Sequence, residues 1–277
     1  MKEFLSRRSL FGGLAAAGLL ATAAEAKKLS RVVAHQPYKE IGLQLYTVRD
    51  AWKADPLGTL QMVRALGYDS VEMIGLNGLA TSQIKGWLDG LGLKARSGHL
   101  GDWATRAEAG MDDLVALGAS YAVFPWLPED QRKDWEALGG TLNRLGELAK
   151  VRGLKLAYHN HDFEFIATSD GRLPYDIIRE STDPALVGFE LDVYWATHGG
   201  QDPVAMLNRD PTRFRMLHLK DMAKDRTMAP VGQGIIDFSK VLATAHKNGV
   251  EFVFVEHDNP VNPFDSLHQS IGYLRSI

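Results

Sequence analysis

Residues 153–165 read "GLKLAYHNHDFEF". Gly153 is a residue type that ends helices, residues 154–158 form a short β-prone run, and the run breaks into His159, Asn160, His161, Asp162 and Glu164. In an extended chain alternate side chains share a face, so His159 and His161 point one way and Asn160 the other. Such a polar burst is either the rim of an active site or a solvated turn, and the rest of the chain decides between them.

The same pattern recurs on both sides of this stretch. Strand-like runs read at 41–46 (IGLQLY), 70–75 (SVEMIG), 93–99 (LKARSGH), 120–126 (SYAVFPW), 154–159 (LKLAYH), 186–192 (LVGFELD), 214–220 (FRMLHLK) and 251–257 (EFVFVEH). Between them lie helical patterns at 56–67, 81–92, 105–118, 129–153, 174–182, 203–209 and 237–249, with a last one at 263–277. Four open on proline and five close on glycine, with Pro56 and Gly67 bounding the same pattern, which is the boundary chemistry of helices. Eight βα units in about 240 residues predict an α/β fold, a closed (β/α)8 barrel or TIM barrel, rather than an open doubly wound sheet.

Composition agrees with one large domain. The 277 residues are 45% hydrophobic and carry 31 basic and 34 acidic side chains, a formal net charge of -3. No basic cluster offers the footprint that nucleic acid requires, so nucleic acid is not an expected partner. Cysteine is absent, which excludes disulfides, thiolate metal sites and cysteine nucleophiles and leaves the chemistry to His, Asp, Glu and Lys. The start, "MKEFLSRRSLFGGLAAAGLLATAAEAKK", joins the adjacent Arg7 and Arg8 to a Gly/Ala/Leu run at 10–23 and a small-residue Ala24-Glu25-Ala26 pattern. Residues 1–26 therefore read as an export signal of twin-arginine type, followed by a linker at 27–39 and a catalytic domain at 40–277. The run falls short of the roughly 20 residues a membrane anchor needs. The expected location is the periplasm or another exported compartment, with no stable membrane anchor.

A (β/α)8 barrel places its chemistry at the C-terminal ends of its strands, so those ends are where candidate residues belong. Strand five ends in His159 and His161. Strand six offers Glu190 and Asp192 on one face, strand seven His218 and Lys220, and strand eight Glu256 followed by His257. A single buried His or Glu is usually a hydrogen-bonded core group, but four consecutive strand ends of this kind mix carboxylates and imidazoles in the way a divalent cation requires. Gln44, Tyr46, Glu72, His99, Trp126, Glu190 and Trp195 are candidate substrate-pocket residues, each also readable as wall packing. His35, His198, His246 and His268 read as surface residues. The "VGQGIID" stretch suits a tight loop and lacks the context of a dinucleotide site.

With these residues in view, the chain resembles the xylose isomerase-like TIM barrels, often called sugar phosphate isomerases/epimerases, over about residues 40–277. The motifs that carry the resemblance are "HNHDFEF", "LDVYW", "HLKD" and "VGQGIIDF". The resemblance implies one divalent ion (Mn, Zn, Co or Mg) held by the ends of strands five to eight, with Asp192, His218 and Glu256 at three ligand positions. The fourth departs from the pattern. Ketose epimerases of that family place a glutamate where this chain has His159, and the next glutamate downstream is Glu164, so His159 and Glu164 are both candidate ligands.

Such a site acidifies the C–H beside a sugar carbonyl, with Glu256, His159 or His161 as proton acceptor. Lys220 either holds a substrate oxygen or pairs with Asp221. The expected function is a metal-dependent sugar isomerase or epimerase acting through an enediolate on a small free sugar or keto-sugar. A keto-sugar lyase or hydratase of inosose dehydratase type is the alternative. A non-catalytic carbohydrate-binding barrel is the alternative outside enzymology. Endonuclease IV-like repair is not the expected function, given the charge, the expected export and the larger ligand set it needs.

Overall fold

The structure, a computed structural model, describes residues 37–277. The expected export signal, most of the linker and His35 lie outside the described residues. Eight parallel strands close into a barrel: β1 (Gly42–Gln44), β2 (Ser70–Met73), β3 (Lys94–His99), β4 (Tyr121–Phe124), β5 (Lys155–His159), β6 (Val187–Asp192), β7 (Phe214–Leu219) and β8 (Phe252–Val255). β1 pairs with both β2 and β8, which closes the ring and leaves no edge strand. Each expected strand exists, shorter than read by up to three residues.

The helices between strands are set by local chemistry. Asp55 caps Pro56–Leu66 through the Gly58 amide, and Gly67 ends that helix at φ 100°. Asp134 caps Trp135–Val151, so the helix expected at 129–153 begins six residues late, after a 3-10 turn at Glu129–Gln131. The first strand also stops early. The Gln44 side chain accepts from the Tyr46 amide and starts a 3-10 turn, Leu45–Val48, which carries Tyr46 to the surface. Two short helices, Arg49–Ala54 and Val193–His198, and a hairpin pairing Asp221–Met222 with Met228–Ala229 have no counterpart in the sequence reading.

Alternation along each strand sorts side chains between the outer helices and the barrel interior. Tyr121, Val123, Ala157, Met216 and Phe254 form a separate buried cluster. Two residues further along the same strand faces come His159, His218 and Glu256, so this apolar plug is the floor beneath the polar mouth. Gly42 belongs to it by subtraction: a Cβ there would lie 2.3 Å from the Phe254 ring. Among the described residues no helix is long and apolar enough to cross a membrane.

Candidate metal centre at the barrel mouth

Backbone register brings the strand ends together. His159 stands beside Glu190, and Asp192 beside His218, as direct neighbours across β5–β6 and β6–β7. His159, Asp192, His218 and Glu256 then place one ligand atom each within 4.8 Å of one another, all buried. His159 Nε2 is 3.8 Å and His218 Nδ1 3.9 Å from Asp192 Oδ2, and His218 Nδ1 is 2.8 Å from Glu256 Oε2.

These residues fit a divalent cation. Asp192 Oδ2, His218 Nδ1 and Glu256 Oε2 are buried and make no hydrogen bond, although such atoms are normally satisfied. Their lone pairs converge, with the charge of the two carboxylate oxygens met by the nearby Lys220 ammonium. Asp192 serves twice: its Oδ1 accepts from the Trp195 amide and caps Val193–His198, while its Oδ2 faces the cluster.

Glu164, the other candidate for strand five, is elsewhere. It sits on the 3-10 turn Phe163–Phe165, accepting from the Tyr158 hydroxyl at 2.6 Å and the His161 amide at 2.9 Å. Burial, only partly offset by the Tyr158 hydrogen bond, pushes its carboxyl up to about 7. The geometry thus brings His159, not Glu164, into the ligand cluster.

Below the cluster lies a second polar layer. Glu190 Oε2 is 3.1 Å from His218 Nε2, 3.2 Å from His159 Nδ1 and 3.8 Å from His99 Nε2. Glu72 accepts from Gln44 Nε2 and the Ser97 hydroxyl, each at 2.5 Å, and meets His218 Nε2 at 2.6 Å and His99 Nε2 at 3.0 Å. Gln44, Glu72 and Glu190 are wholly buried, so three residues expected in the substrate pocket form its underside. Burial works against a charged His99, but Glu72 and then Glu190 reverse this and raise it to about 9.

Lys220 is the cation of the mouth. Its Nζ is 3.0 Å from Asp192 Oδ2, 2.8 Å from Glu256 Oε2 and 2.7 Å from Asp258 Oδ1. Burial opposes its charge, yet Asp192 and Glu256 hold the ammonium well above its ordinary range. The Glu256 carboxyl is held low despite burial by Lys220 and His218, whereas burial leaves Asp192 raised to about 6. The expected pairing of Lys220 with Asp221 does not occur. Asp221 instead accepts from the amides of Met222, Gly232, Gly234 and Ile236, fastening the "VGQGIID" loop.

The rim is aromatic. His161 lies with its ring centroid 4.9 Å from that of His159 and 5.7 Å from that of Trp195, and its Nδ1 is buried without a partner. Burial, then Lys220, lowers it well below the ordinary imidazole value, so the ring is neutral. Trp126 and Tyr46 are exposed, each with an arginine near its ring face, Arg132 and Arg49. His257 turns away to Ser266. His246 and His268 are exposed as expected, while His198 is half-buried and 3.0 Å from Asp162. Asp258 is a site residue the sequence reading missed. Its signal was the i, i+2 spacing from Glu256 in "VEHD", which puts both carboxylates on one side of an extended chain.

Fold and site together define a (β/α)8 barrel with an imidazole- and carboxylate-lined mouth suited to a metal ion. The chain belongs to the Xylose isomerase-like TIM barrel family, whose model matches residues 60–277. A sugar phosphate isomerase/epimerase from Parabacteroides distasonis is 28% identical with a TM-score of 0.75, covering 86% of this chain and 94% of that one. The IOLI protein, crystallised with a zinc atom, shares the fold at 16% identity and TM-score 0.66, over 86% of this chain and 98% of its own. An inosose dehydratase from Clostridium tetani is 33% identical over 175 residues, 55% of this chain and 58% of the relative. The chain spans about half the length of the curated relatives it matches.

Proposed function

We propose that this protein is a divalent-metal-dependent lyase that removes water from a keto-sugar of inosose or keto-glycoside type, through a single proton carrier. The observation that carries the reading is at strand five. His159 stands in the ligand cluster where two-base epimerisation needs a second carboxylate opposite Glu256, and the neighbouring His161 keeps a buried Nδ1 with no hydrogen-bond partner, free to accept a proton. The names of the curated relatives support the same choice.

His159, Asp192, His218 and Glu256 would hold the ion, and the imidazole-carboxylate mixture suits Zn, Mn or Co better than Mg. Once bound, the ion supplies Lewis acidity to a carbonyl oxygen and its neighbouring hydroxyl. Lys220 keeps Asp192 and Glu256 ionised and covers the site with positive charge. His161 Nδ1 accepts the proton from the carbon next to the carbonyl. The electron pair of that C–H bond forms the new C=C bond, the C–O bond at the next carbon breaks, and His161 returns its proton to the leaving hydroxide as water. Trp126, Trp195 and Tyr46 offer ring faces to the apolar side of a sugar.

A second reading keeps the first proton transfer but returns the proton to carbon, giving isomerisation or epimerisation. The likeness to the P. distasonis isomerase/epimerase structure supports it. The test is incubation of metal-loaded protein with a panel of keto-inositols and keto-glucosides in heavy water. A product lighter by one water supports the lyase; a deuterium-labelled isomer without water loss replaces it with the second reading. Sugar binding with neither outcome would leave a carbohydrate-binding barrel.

Export through the twin-arginine route belongs to the same proposal, supported by Arg7, Arg8 and the apolar run at 10–23. It favours an unphosphorylated substrate. N-terminal sequencing of the protein from a periplasmic fraction should begin at Lys27; an intact Met1 in the cytoplasm refutes it.

A further inference from the structure

Every metal-ligating histidine has a second ring nitrogen, and what that nitrogen touches decides which lone pair is left for the ion. For His218 the nearer contact is Glu72, with Glu190 Oε2 at 3.1 Å from the same nitrogen. Glu72 Oε1 lies 2.6 Å from His218 Nε2, on the opposite side of the ring from Nδ1, which faces Asp192 and Glu256. Glu72 comes from β2, across the barrel from β7, and is wholly buried.

The carboxylate is itself fixed. Its Oε2 accepts from the Ser97 hydroxyl, and its Oε1 from Gln44 Nε2. The Gln44 amide cannot turn over without loss, because its Oε1 accepts from the Tyr46 amide at the start of the 3-10 turn. His99 Nε2 approaches the same Glu72 oxygen at 3.0 Å, which completes its surroundings. With its acceptor capacity used and no exposed surface, Glu72 has nothing left for a substrate.

We infer that Glu72 is the positioning residue of the metal centre: it takes the Nε2–H of His218 and so presents Nδ1, with its lone pair, to the ion. This rests on the metal-centred reading above and adds the reason that His218 points the right nitrogen at Asp192 and Glu256. The inner layer is then the outer support of one metal site rather than a second site. Glu72 touches neither substrate nor ion.

The test is Glu72→Gln, measured by competition with a chromogenic chelator for zinc and manganese. The variant should fold, because the Ser97 hydroxyl can rotate to accept from the new amide. Expected is a loss of metal affinity of about 10- to 100-fold with little change in the thermal midpoint of the metal-free protein. Glu72→Asp, which keeps the charge but falls short of the ring, should lose affinity as well. In the zinc-loaded wild type, 15N NMR should show His218 protonated at Nε2 and bonded to metal at Nδ1, a signature weakened in Glu72→Gln. Unchanged affinity in both variants overturns the inference. So does a fall in stoichiometry from two ions to one in Glu72→Gln, which would make Glu72 a ligand. A wild-type protein that binds no ion overturns the metal-centred reading together with this one.

Discussion

The ammonium of Lys220 stands 3.0 Å from Asp192 Oδ2, both groups buried, at the place where two strand ends meet above the apolar floor. Glu256 and Asp258 complete a ring of three carboxylates around this one cation. Removing the charge leaves two buried carboxylates, Asp192 and Glu256, and the partly buried Asp258 without their cation. Lys220→Met should therefore cost about 3–5 kcal/mol in the metal-free protein. A saturating divalent ion should restore much of that, because it replaces the lost positive charge. Urea unfolding with and without metal measures both; equal losses in the two states would show that Lys220 does not share its carboxylates with an ion.

Asp192 separates metal binding from helix capping. Asp192→Asn keeps an oxygen for the Trp195 amide and loses the charge on the side that faces His218. Metal affinity should drop by more than 100-fold while the thermal midpoint stays nearly constant. Asp192→Ala should lose both, with about 1 kcal/mol of additional destabilisation from the missing cap. Calorimetric titration and thermal melts read the two effects independently.

His99 sets a pH dependence of stability whose sign follows from its position. The folded protein raises the ring from 6.5 to about 9, so between those values the folded state keeps a proton that the unfolded chain has released. The stabilisation is complete below pH 6.5 and is lost as the pH rises through about 9. The slope should approach about 1.4 kcal/mol per pH unit for this one proton. Urea titrations of the metal-free protein across that range should show it. His99→Asn should reduce the slope, leaving the part contributed by His218, where burial opposes the charge but Glu190, Glu256 and Glu72 hold the ring well above its ordinary value.

Asp221 fixes the loop after β7. Its side chain receives four backbone N–H groups, and a Cβ at Gly234 would lie 2.3 Å from its Oδ1, so the loop closes tightly on the carboxylate. Asp221→Ala leaves those donors without their acceptor and should destabilise the protein by about 3 kcal/mol. Hydrogen exchange should locate the damage in the amides of Gly232, Gly234 and Ile236. Uniform exchange across the barrel would contradict a local role.

The eight strands were legible because each is a short apolar run between glycine- or proline-marked helix ends, and strand and helix periodicity are local properties. The two-residue spacings in "YHNH", "FELD" and "LHLK" likewise named the faces on which His159, Asp192 and His218 lie, and Glu256 was legible from its place at the end of strand eight. What spacing does not encode is which side chain of another strand each face meets. Gln44, Glu72 and Glu190 read as pocket residues, yet barrel closure sets them one layer down, where their hydrogen bonds are used on one another and on the histidines. Lys220 and Asp221 are adjacent in sequence but point apart: one meets three carboxylates in the mouth, the other a ring of loop amides.

By itself, then, the sequence determined a barrel of eight βα units and a set of polar strand ends, because periodicity and helix boundaries depend on neighbours along the chain. Only the tertiary structure decided that His159 rather than Glu164 joins Asp192, His218 and Glu256. The choice depends on where the 3-10 turn after β5 folds back and on the Tyr158 hydroxyl that receives Glu164, and both follow from contacts across the packed barrel.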